Sequence, residues 1–180
     1  MAVSEGGPSS LEGVDLSDVR ASPAASGTVE LIARRPRENE REVLEEARLD
    51  LATGLVGDRW HESAGRDDPD TQLTLMNARA AALLAGARAR WPEAGDQLYV
   101  DLDLSTANLP PGSRLNIGSA VIEVTAVPHT GCGKFLRRFG LQAQKLVNSP
   151  VGRELNLRGI NARVVHAGTV RTGDPVEKLA

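Results

Sequence analysis

The sequence predicts a mainly β fold with a few helices, arranged as a mainly antiparallel barrel or sandwich. The patterning of the sequence supports this fold class, and the length and composition indicate the number of domains and the kind of core. Segments with a strand pattern outnumber those with a helical pattern, and they do not alternate with helices as a parallel βαβ sheet requires. The length of 180 residues corresponds to a single domain with one substantial core. Aromatic residues make up only 3% of the chain, against 41% for all hydrophobic residues, so the core is expected to be aliphatic.

The composition also excludes several classes of protein. A hydrophobic fraction of 41% with 25% charged residues is typical of a globular chain and disfavours disorder or a fibrous repeat. No stretch approaches the ~20 uncharged apolar residues that span a membrane, and the first thirty residues lack the basic start and apolar core of a signal peptide. We therefore predict a cytoplasmic protein with no membrane association.

The chain is predicted to begin with a flexible leader, followed by one domain. Residues 1–26 are rich in Gly, Ser, Pro and Ala, and we expect that they can be removed with little loss of stability. The domain covers residues 27–180. Its first strand is predicted over Gly27–Ala33 and stops before Pro36, and a further strand region runs into a loop punctuated by Gly54 and Gly57.

The middle of the chain predicts a strand followed directly by a helix. Residues 72–76 form a short apolar run that is typical of a buried strand. Asn77 is a good N-cap because its side chain can accept a hydrogen bond from the first turn of a helix. The Ala-rich segment from Ala78 to about Arg90 is predicted as that helix, and Pro92 helps to end it.

The second half of the chain predicts strands around one helix. Arg114–Ile117 and Val121–Val127 flank Gly118-Ser119 and indicate a hairpin. The later segments Ile160–Val165 and Thr169–Arg171 are predicted strands on either side of a short turn. A helix is predicted between the two strand regions from apolar residues at helical spacing, with Gly140 and Pro150 limiting its length. These apolar residues are Phe135, Phe139, Ala143, Leu146 and Val147.

Cys132 is the first candidate for a chemical role. It is the single cysteine, so it cannot form an internal disulfide, and it stands between two glycines where a strand gives way to the helix. Helix-start N–H groups and the nearby cations Lys134, Arg137 and Arg138 favour a thiolate and would lower its pKa. The alternative is a cysteine that serves as a small buried hydrophobic residue.

Basic residues around Cys132 are the second candidate feature. Residues 128–171 contain eight Lys or Arg and one acid, so the segment carries +7 while the whole chain carries −3. His129 is close enough in sequence to exchange a proton with Cys132.

Earlier in the chain, Asp58 could hold the glycine loop by accepting hydrogen bonds from backbone N–H groups. The planar guanidinium of Arg59 could then bind an anion through two hydrogen bonds. The acids around His61 match no metal-ligand spacing and indicate a solvated loop, and His166 is assigned no role.

Several motifs in fixed order resemble the MOSC family, the molybdenum cofactor sulfurase C-terminal domain. The resemblance extends from about residue 27 to the C-terminus, and the combination is more specific than any single motif. The motifs are Arg35-Pro36, Gly54–Arg59, Gln72–Asn77, Leu109–Leu115 with Ile122–Thr125, Cys132, Gly159–Arg163 and Gly168–Asp174. Gly95–Tyr99 and Trp60 depart from the usual pattern of the family.

The resemblance implies a fold, a cofactor and a role for the cysteine. It implies an antiparallel β-barrel similar to the barrel domain of pyruvate kinase. It implies that Cys132 carries sulfur as a persulfide or ligates molybdenum, and that the chain binds molybdopterin. The residues expected at the cofactor are Asp58, Arg59, Asn77, His129, Lys134 and Arg163. A cysteine desulfurase or a molybdoenzyme is the expected protein partner. The aminotransferase-like domain that precedes this module in the sulfurases is not recognised here, so no pyridoxal phosphate is expected.

Two hypotheses from different classes remain open on the sequence. In the first, Cys132 is the reactive atom of an oxidoreductase or a sulfur-transfer protein, and the basic segment holds the phosphate of molybdopterin. In the second, the chain is a binding module without chemistry, which holds another anionic small molecule or a nucleotide, and the cysteine is structural. The shortage of aromatic residues for base stacking argues against nucleic acid.

Overall fold

The computed structural model of the chain describes residues 13–62 and 68–180. Eleven strands are found in this part of the chain: β1 (Ser26–Arg34), β2 (Glu42–Leu44), β3 (Glu46–Asp50), β4 (Gly54–Leu55), β5 (Leu73–Asn77), β6 (Leu98–Asp101), β7 (Arg114–Ile117), β8 (Ala120–Val124), β9 (Ile160–His166), β10 (Gly168–Arg171) and β11 (Pro175–Lys178). The α-helices are α1 (Ser17–Arg20), α2 (Ala78–Ala85), α3 (Gly133–Asn148) and α4 (Pro150–Glu154), and short 3-10 helices cover Trp60–Glu62, Pro69–Thr71 and Arg88–Ala94. None of the helices described is long and apolar enough to cross a membrane.

Seven strands close into a barrel, which confirms the predicted fold class. Their order is β1-β6-β5-β9-β8-β7-β11, and β11 pairs with β1 to close the ring. The last residues of β1 also pair with β2, while β10, β3 and β4 form a separate three-stranded sheet. The barrel is mainly antiparallel, as predicted, but it is mixed, because β5 and β6 run parallel. A parallel pair needs a long crossover, and α2 with the 3-10 helix after it supplies that connection.

Two hydrophobic clusters form the core. The first is purely aliphatic and contains residues from all seven barrel strands, such as Leu73, Leu98 and Ile122, which are fully buried. The second lies between the outer face of the strands and helices α2 and α3, and it includes the buried aromatic residues Tyr99 and Phe135. The few aromatic side chains are therefore concentrated where helices cover the sheet, and the barrel interior is aliphatic as the composition predicts.

Most of the predicted elements occur close to their predicted positions, with one shortened helix. Asn77 caps α2, since its Oδ1 accepts hydrogen bonds from the N–H groups of Arg79 and Ala80 at 2.8 and 3.1 Å. The helix ends at Ala85 rather than near Arg90, because Gly86 adopts a positive φ of 69° that interrupts helical geometry. Gly140, at φ 83°, kinks α3 in the middle.

The described part of the predicted leader, residues 13–26, is docked on the domain. Val19 in α1 is only 5% exposed and belongs to the cluster that includes α2. Ser22 accepts a hydrogen bond from Asn77 Nδ2 at 2.8 Å, and Pro23 accepts one from the N–H of Asp103 at 2.8 Å. Residues 1–12 of that prediction lie outside the described residues. Residues 13–26 thus contribute buried contacts, which the composition alone did not indicate.

Val19→Ala is expected to lower the free energy of unfolding by about 1.5 kcal/mol, because it removes two buried methyl groups. In a domain of this size, that corresponds to a fall in Tm of about 3–6 °C. The matched control is Val43→Ala, since Val43 is 55% exposed and should change the Tm very little. Equal melting temperatures for the two variants would show that α1 contributes nothing to stability.

Candidate functional site

A cavity in the described part of the chain lies where several connecting segments meet. Its volume is about 410 Å³, and it is bounded by the segments that follow β1, β4 and β8 and by those that precede β6 and β9. Its described wall residues include seven cationic side chains and one carboxylate, that of Glu38. The cations are Arg35, Arg37, Arg41, Arg59, Lys134, Arg138 and Arg158. The chemistry of this wall favours an anionic ligand.

Cys132 lies at the wall of this cavity, at the N-terminus of α3. The residue is exposed and its thiol is free. Partial burial raises the pKa of the thiol, but backbone N–H groups of Phe135 and Lys134 and the charge of Arg158 outweigh burial, so the pKa lies below its ordinary value. The lowering predicted from sequence has the right direction. Its causes are the helix start and Arg158, a residue distant in sequence, rather than the charges of Arg137 and Arg138.

The alkylation rate of Cys132 is expected to reach half of its maximum below pH ~8.5, the value of an ordinary thiol. The thiolate is the reactive form, so a lowered pKa shifts the profile of rate against pH towards acid. Reaction with iodoacetamide, followed by mass spectrometry, measures this directly. Lys134→Gln is the control and should move the midpoint little, because Lys134 is half exposed and lies 3.7 Å from Glu38. A midpoint at or above ~8.5 in the wild type would contradict the assignment.

Arg35 is fixed in the cavity wall by the fully buried carboxylate of Asp58. Asp58 accepts hydrogen bonds from Arg35 at its backbone N (2.8 Å), Nε (3.0 Å) and Nη2 (2.7 Å), and from the N–H of Trp60 (3.0 Å). Asp58 is buried and is not among the residues that line the cavity. The neighbouring Arg59 does line the cavity, and its backbone N–H bonds to the carbonyl of Arg35 at 2.9 Å.

Arg41 and Arg138 are held by carbonyl oxygens instead of carboxylates. Arg41 donates to Pro92 O at 3.0 Å and to Glu40 O at 2.7 Å, and Arg138 donates to Glu93 O at 2.7 Å. Burial, together with the charges of Arg138 and Arg35, lowers the pKa of the Arg41 guanidinium. A carbonyl carries no charge that could neutralise a guanidinium, so this corner keeps a positive potential that an anion would reduce.

A buried carboxylate, Asp96, joins two further residues of the wall. Its Oδ2 accepts from Arg158 Nη1 at 2.5 Å, and its Oδ1 is 3.4 Å from His129 Nδ1. Arg158 also donates to Ala94 O at 2.8 Å and lies over the ring of Phe135, 5.0 Å from the ring centroid. Its Nε is buried and has no hydrogen-bond partner in the described structure. Asp96 and Arg158 were not among the site residues predicted from sequence.

The other predicted site residues are distributed between the cavity and the rest of the barrel. His129 and Lys134 line the cavity. Arg163 lies outside it and pairs with Glu123 at 2.7 Å and with Asp70 at 3.1 Å. The Asn77 side chain is taken up by the cap of α2 and by contacts to Ser22 and Leu102, so it does not face the cavity. In the ranges 13–62 and 68–180, no three His, Cys, Asp or Glu side chains form a metal-binding group.

Comparisons with known proteins agree with this architecture. No curated protein matches the chain by sequence. The YUAD protein from Bacillus subtilis is similar in structure, with a TM-score of 0.62 and 17% identity over 85% of this chain and 95% of that one. YiiM from Escherichia coli gives a TM-score of 0.56 and 22% identity over 85% and 70%. At these identities the similarity shows a shared fold.

The family is shown by a separate comparison. The sequence profile of the MOSC domain matches residues 58–177, which covers about two thirds of the chain and includes Cys132 and most of the barrel. This match agrees with the order of motifs noted in the sequence, and the predicted family is confirmed. The chain belongs to the MOSC domain family.

Proposed function

We propose that this chain binds the molybdenum cofactor in the cationic cavity and that Cys132 carries sulfur to it or ligates its metal. The MOSC family is linked in general to the molybdenum cofactor. The observation that carries the proposal is the position of Cys132: the single thiol, with a lowered pKa, shares the wall of one cavity with seven cations.

The side chains present fit such a cofactor. Molybdopterin carries a phosphate, and Arg35, Arg41 and Arg138 would hold it with charge-assisted hydrogen bonds. The buried Nε of Arg158 is a donor that lacks an acceptor in the described structure, and an anionic oxygen in the cavity would provide one. Cys132 supplies a soft thiolate ligand. When bound, the cofactor supplies a metal centre capable of redox chemistry.

The protein's own contribution is to prepare the thiolate and to fix the cations. The N–H groups of Lys134 and Phe135 and the charge of Arg158 stabilise the negative sulfur. Both proposed roles of Cys132 require this deprotonated form, since the thiolate is the metal ligand and the nucleophile. Asp58 orients Arg35 before a ligand arrives, so less conformational entropy is lost on binding.

The alternative is a binding module for another anion, in which Cys132 has no chemistry. Both proposals use the same cations, so they differ only in the role of the sulfur. A sulfur carrier accepts the sulfane sulfur of a desulfurase persulfide: the Cys132 thiolate forms the new S–S bond, and the desulfurase cysteine leaves as a thiolate. Mass spectrometry after incubation with a cysteine desulfurase and cysteine would detect the added sulfur on Cys132.

Protein purified from its native host is expected to contain pterin and molybdenum, measured by fluorescence of the oxidised pterin and by elemental analysis. Arg41→Gln should weaken pterin binding about tenfold or more, because it removes a partly buried charge. Arg163→Gln is the matched control, since Arg163 lies outside the cavity. Cys132→Ser should keep the pterin phosphate contacts and lose persulfide formation or the metal. The binding module without chemistry would be favoured if the wild-type protein contained neither molybdenum nor a persulfide, and if Cys132→Ser bound the anion as tightly as the wild type does.

A further inference from the structure

The positive charge of the cationic cavity is concentrated at Arg41 and Arg138. Four of the other cations of its wall lie within 4 Å of a carboxylate, which offsets their charge. Arg41 and Arg138 donate to backbone carbonyl oxygens instead, and neither forms a salt bridge within the described part of the chain. Burial and the charge of Arg138 lower the pKa of Arg41, so an anion at this corner would relieve a repulsion.

The thiol of Cys132 is on the same wall and is accessible from solvent. Cys132 is exposed at the start of α3 and forms no disulfide. Although partial burial raises the pKa of the thiol, the N–H groups of Phe135 and Lys134 help to bring it below its ordinary value. A thiolate attacks the sulfur of a disulfide. Because the chain has a single cysteine, a mixed disulfide formed at Cys132 cannot be resolved within the chain.

Arg158 provides a separate indication that the ligand carries anionic oxygen. It lines the cavity and is only 6% exposed. Its Nη1 and Nη2 donate to Asp96 Oδ2 and Ala94 O, whereas its buried Nε has no hydrogen-bond partner in the described structure. A buried donor without an acceptor is costly, so a ligand that supplies a carboxylate oxygen would be favoured.

We propose that Cys132 is a site of reversible modification by small disulfides that carry carboxylates, and that the cationic cavity selects this class by its charge. The Cys132 thiolate forms a new S–S bond to one sulfur of the small disulfide, whose own S–S bond breaks. The other half leaves as a thiolate and takes a proton from water. Cys132 is thereby oxidised and the leaving half is reduced. Attack by a second small thiol on the mixed disulfide regenerates the Cys132 thiolate and the small disulfide.

This modification would regulate the proposed function, and in that respect it rests on it. A mixed disulfide occupies the sulfur that would carry sulfane sulfur or ligate the metal, and its small-molecule half would fill part of the cavity. The cavity volume of about 410 Å³ lies within the roughly 300–1,000 Å³ of small-molecule sites. The exchange itself needs only the thiol and the cations, so it can be measured on protein without pterin or molybdenum.

Oxidised glutathione and its ethyl ester test the selection by charge. Oxidised glutathione is anionic at neutral pH, and esterification of its glycine carboxylates gives an uncharged disulfide with the same skeleton. Mass spectrometry of the intact protein measures the rate of mixed-disulfide formation with each probe. The same two rates with 2-mercaptoethanol give the reference ratio for a thiol without a cationic cavity.

Cys132 is expected to react about three to ten times faster with oxidised glutathione than with the ester, relative to the reference ratio, at an ionic strength of about 20 mM. At about 0.5 M the two ratios should converge, because salt screens the cations. The net charge of −3 on the whole chain would favour the ester, so the expected preference can arise only from local charge. A ratio at or below the reference at low ionic strength, or no mixed disulfide, would overturn the proposal.

Arg41→Gln tests whether the cavity is the source of the preference. It should reduce the ratio of the two rates by about half or more, whereas Arg163→Gln removes the same charge outside the cavity and should leave the ratio unchanged. Both probes react with the same thiolate, so a change in the pKa of Cys132 cancels in the ratio. A wild-type ratio in Arg41→Gln would overturn the role of the cavity. If that variant does not fold, Arg138→Gln makes the same test.

Reduced glutathione tests the reversal. Its addition to the modified protein should restore the mass of unmodified Cys132, and a mass that does not return would contradict a reversible modification. These outcomes are distinct from those for the proposed function. Absence of pterin and molybdenum would contradict cofactor binding without changing the ratio of rates, and equal rates for the two probes would overturn the selection by charge without changing the cofactor content.

Discussion

Asp58→Ala is expected to destabilise the protein by about 3–5 kcal/mol, because it leaves the partly buried Arg35 guanidinium without its counter-charge. The substitution also removes the acceptor for two backbone N–H groups, those of Arg35 and Trp60. In a domain of this size, the Tm should fall by roughly 6–20 °C. Phosphate affinity should fall as well, since Arg35 would lose the contacts that hold it in the cavity wall.

Asp50→Ala is the matched control for this prediction. Asp50 also accepts two backbone hydrogen bonds, from Ala52 and Thr53, but it holds no arginine. Its replacement should cost about 1 kcal/mol and leave phosphate binding unchanged. Thermal melts with and without inorganic phosphate measure both effects. If Asp58→Ala melts within a few degrees of Asp50→Ala, the carboxylate does not organise this side of the site.

The elements predicted correctly from sequence are those that local patterns specify. The hairpin β7–β8 is marked by its Gly-Ser turn, α2 by the Asn77 cap, and α3 by apolar residues at helical spacing. Two barrel strands, β6 and β11, were not predicted. Each has four residues, and β11 buries only Val176. These strands are held by pairing with β1 and with β5 or β7, which sequence patterning does not reveal.

The site could be predicted only in part, for a related reason. Cys132, His129 and Lys134 are neighbours in sequence, and they line the same cavity in the structure. The contacts that organise the site are long-range: Asp58 is 23 residues from Arg35, and Asp96 is 62 residues from Arg158. The sequence therefore shows that one segment is positively charged, but it does not show which of the cations face the cavity. Arg163 illustrates this, since it belongs to the basic segment and pairs with acids outside the cavity.

Gly159→Ala is expected to be the most damaging small substitution near the site. Gly159 has a φ of 108°, where an L residue is strained by about 1–3 kcal/mol. The added Cβ would also lie 2.3 Å from the backbone oxygen of Leu75, so β5 or the segment before β9 would have to move. Together these effects should cost about 3–5 kcal/mol. The displaced segment carries Arg158, so phosphate binding and the low pKa of Cys132 should be lost as well.

Gly112→Ala separates the backbone strain from the contacts. Gly112 has a similar φ of 92°, but a Cβ there would meet no atom within 4 Å. Its replacement should therefore cost only the strain, about 1–3 kcal/mol, and should leave phosphate binding and Cys132 alkylation as in the wild type. The difference in Tm between the two variants measures what the close packing around Gly159 contributes. If Gly159→Ala and Gly112→Ala had equal melting temperatures and the same alkylation profiles, the space between Leu75, Asp96 and His129 would tolerate a side chain at position 159. The close packing there would then not hold the site in place.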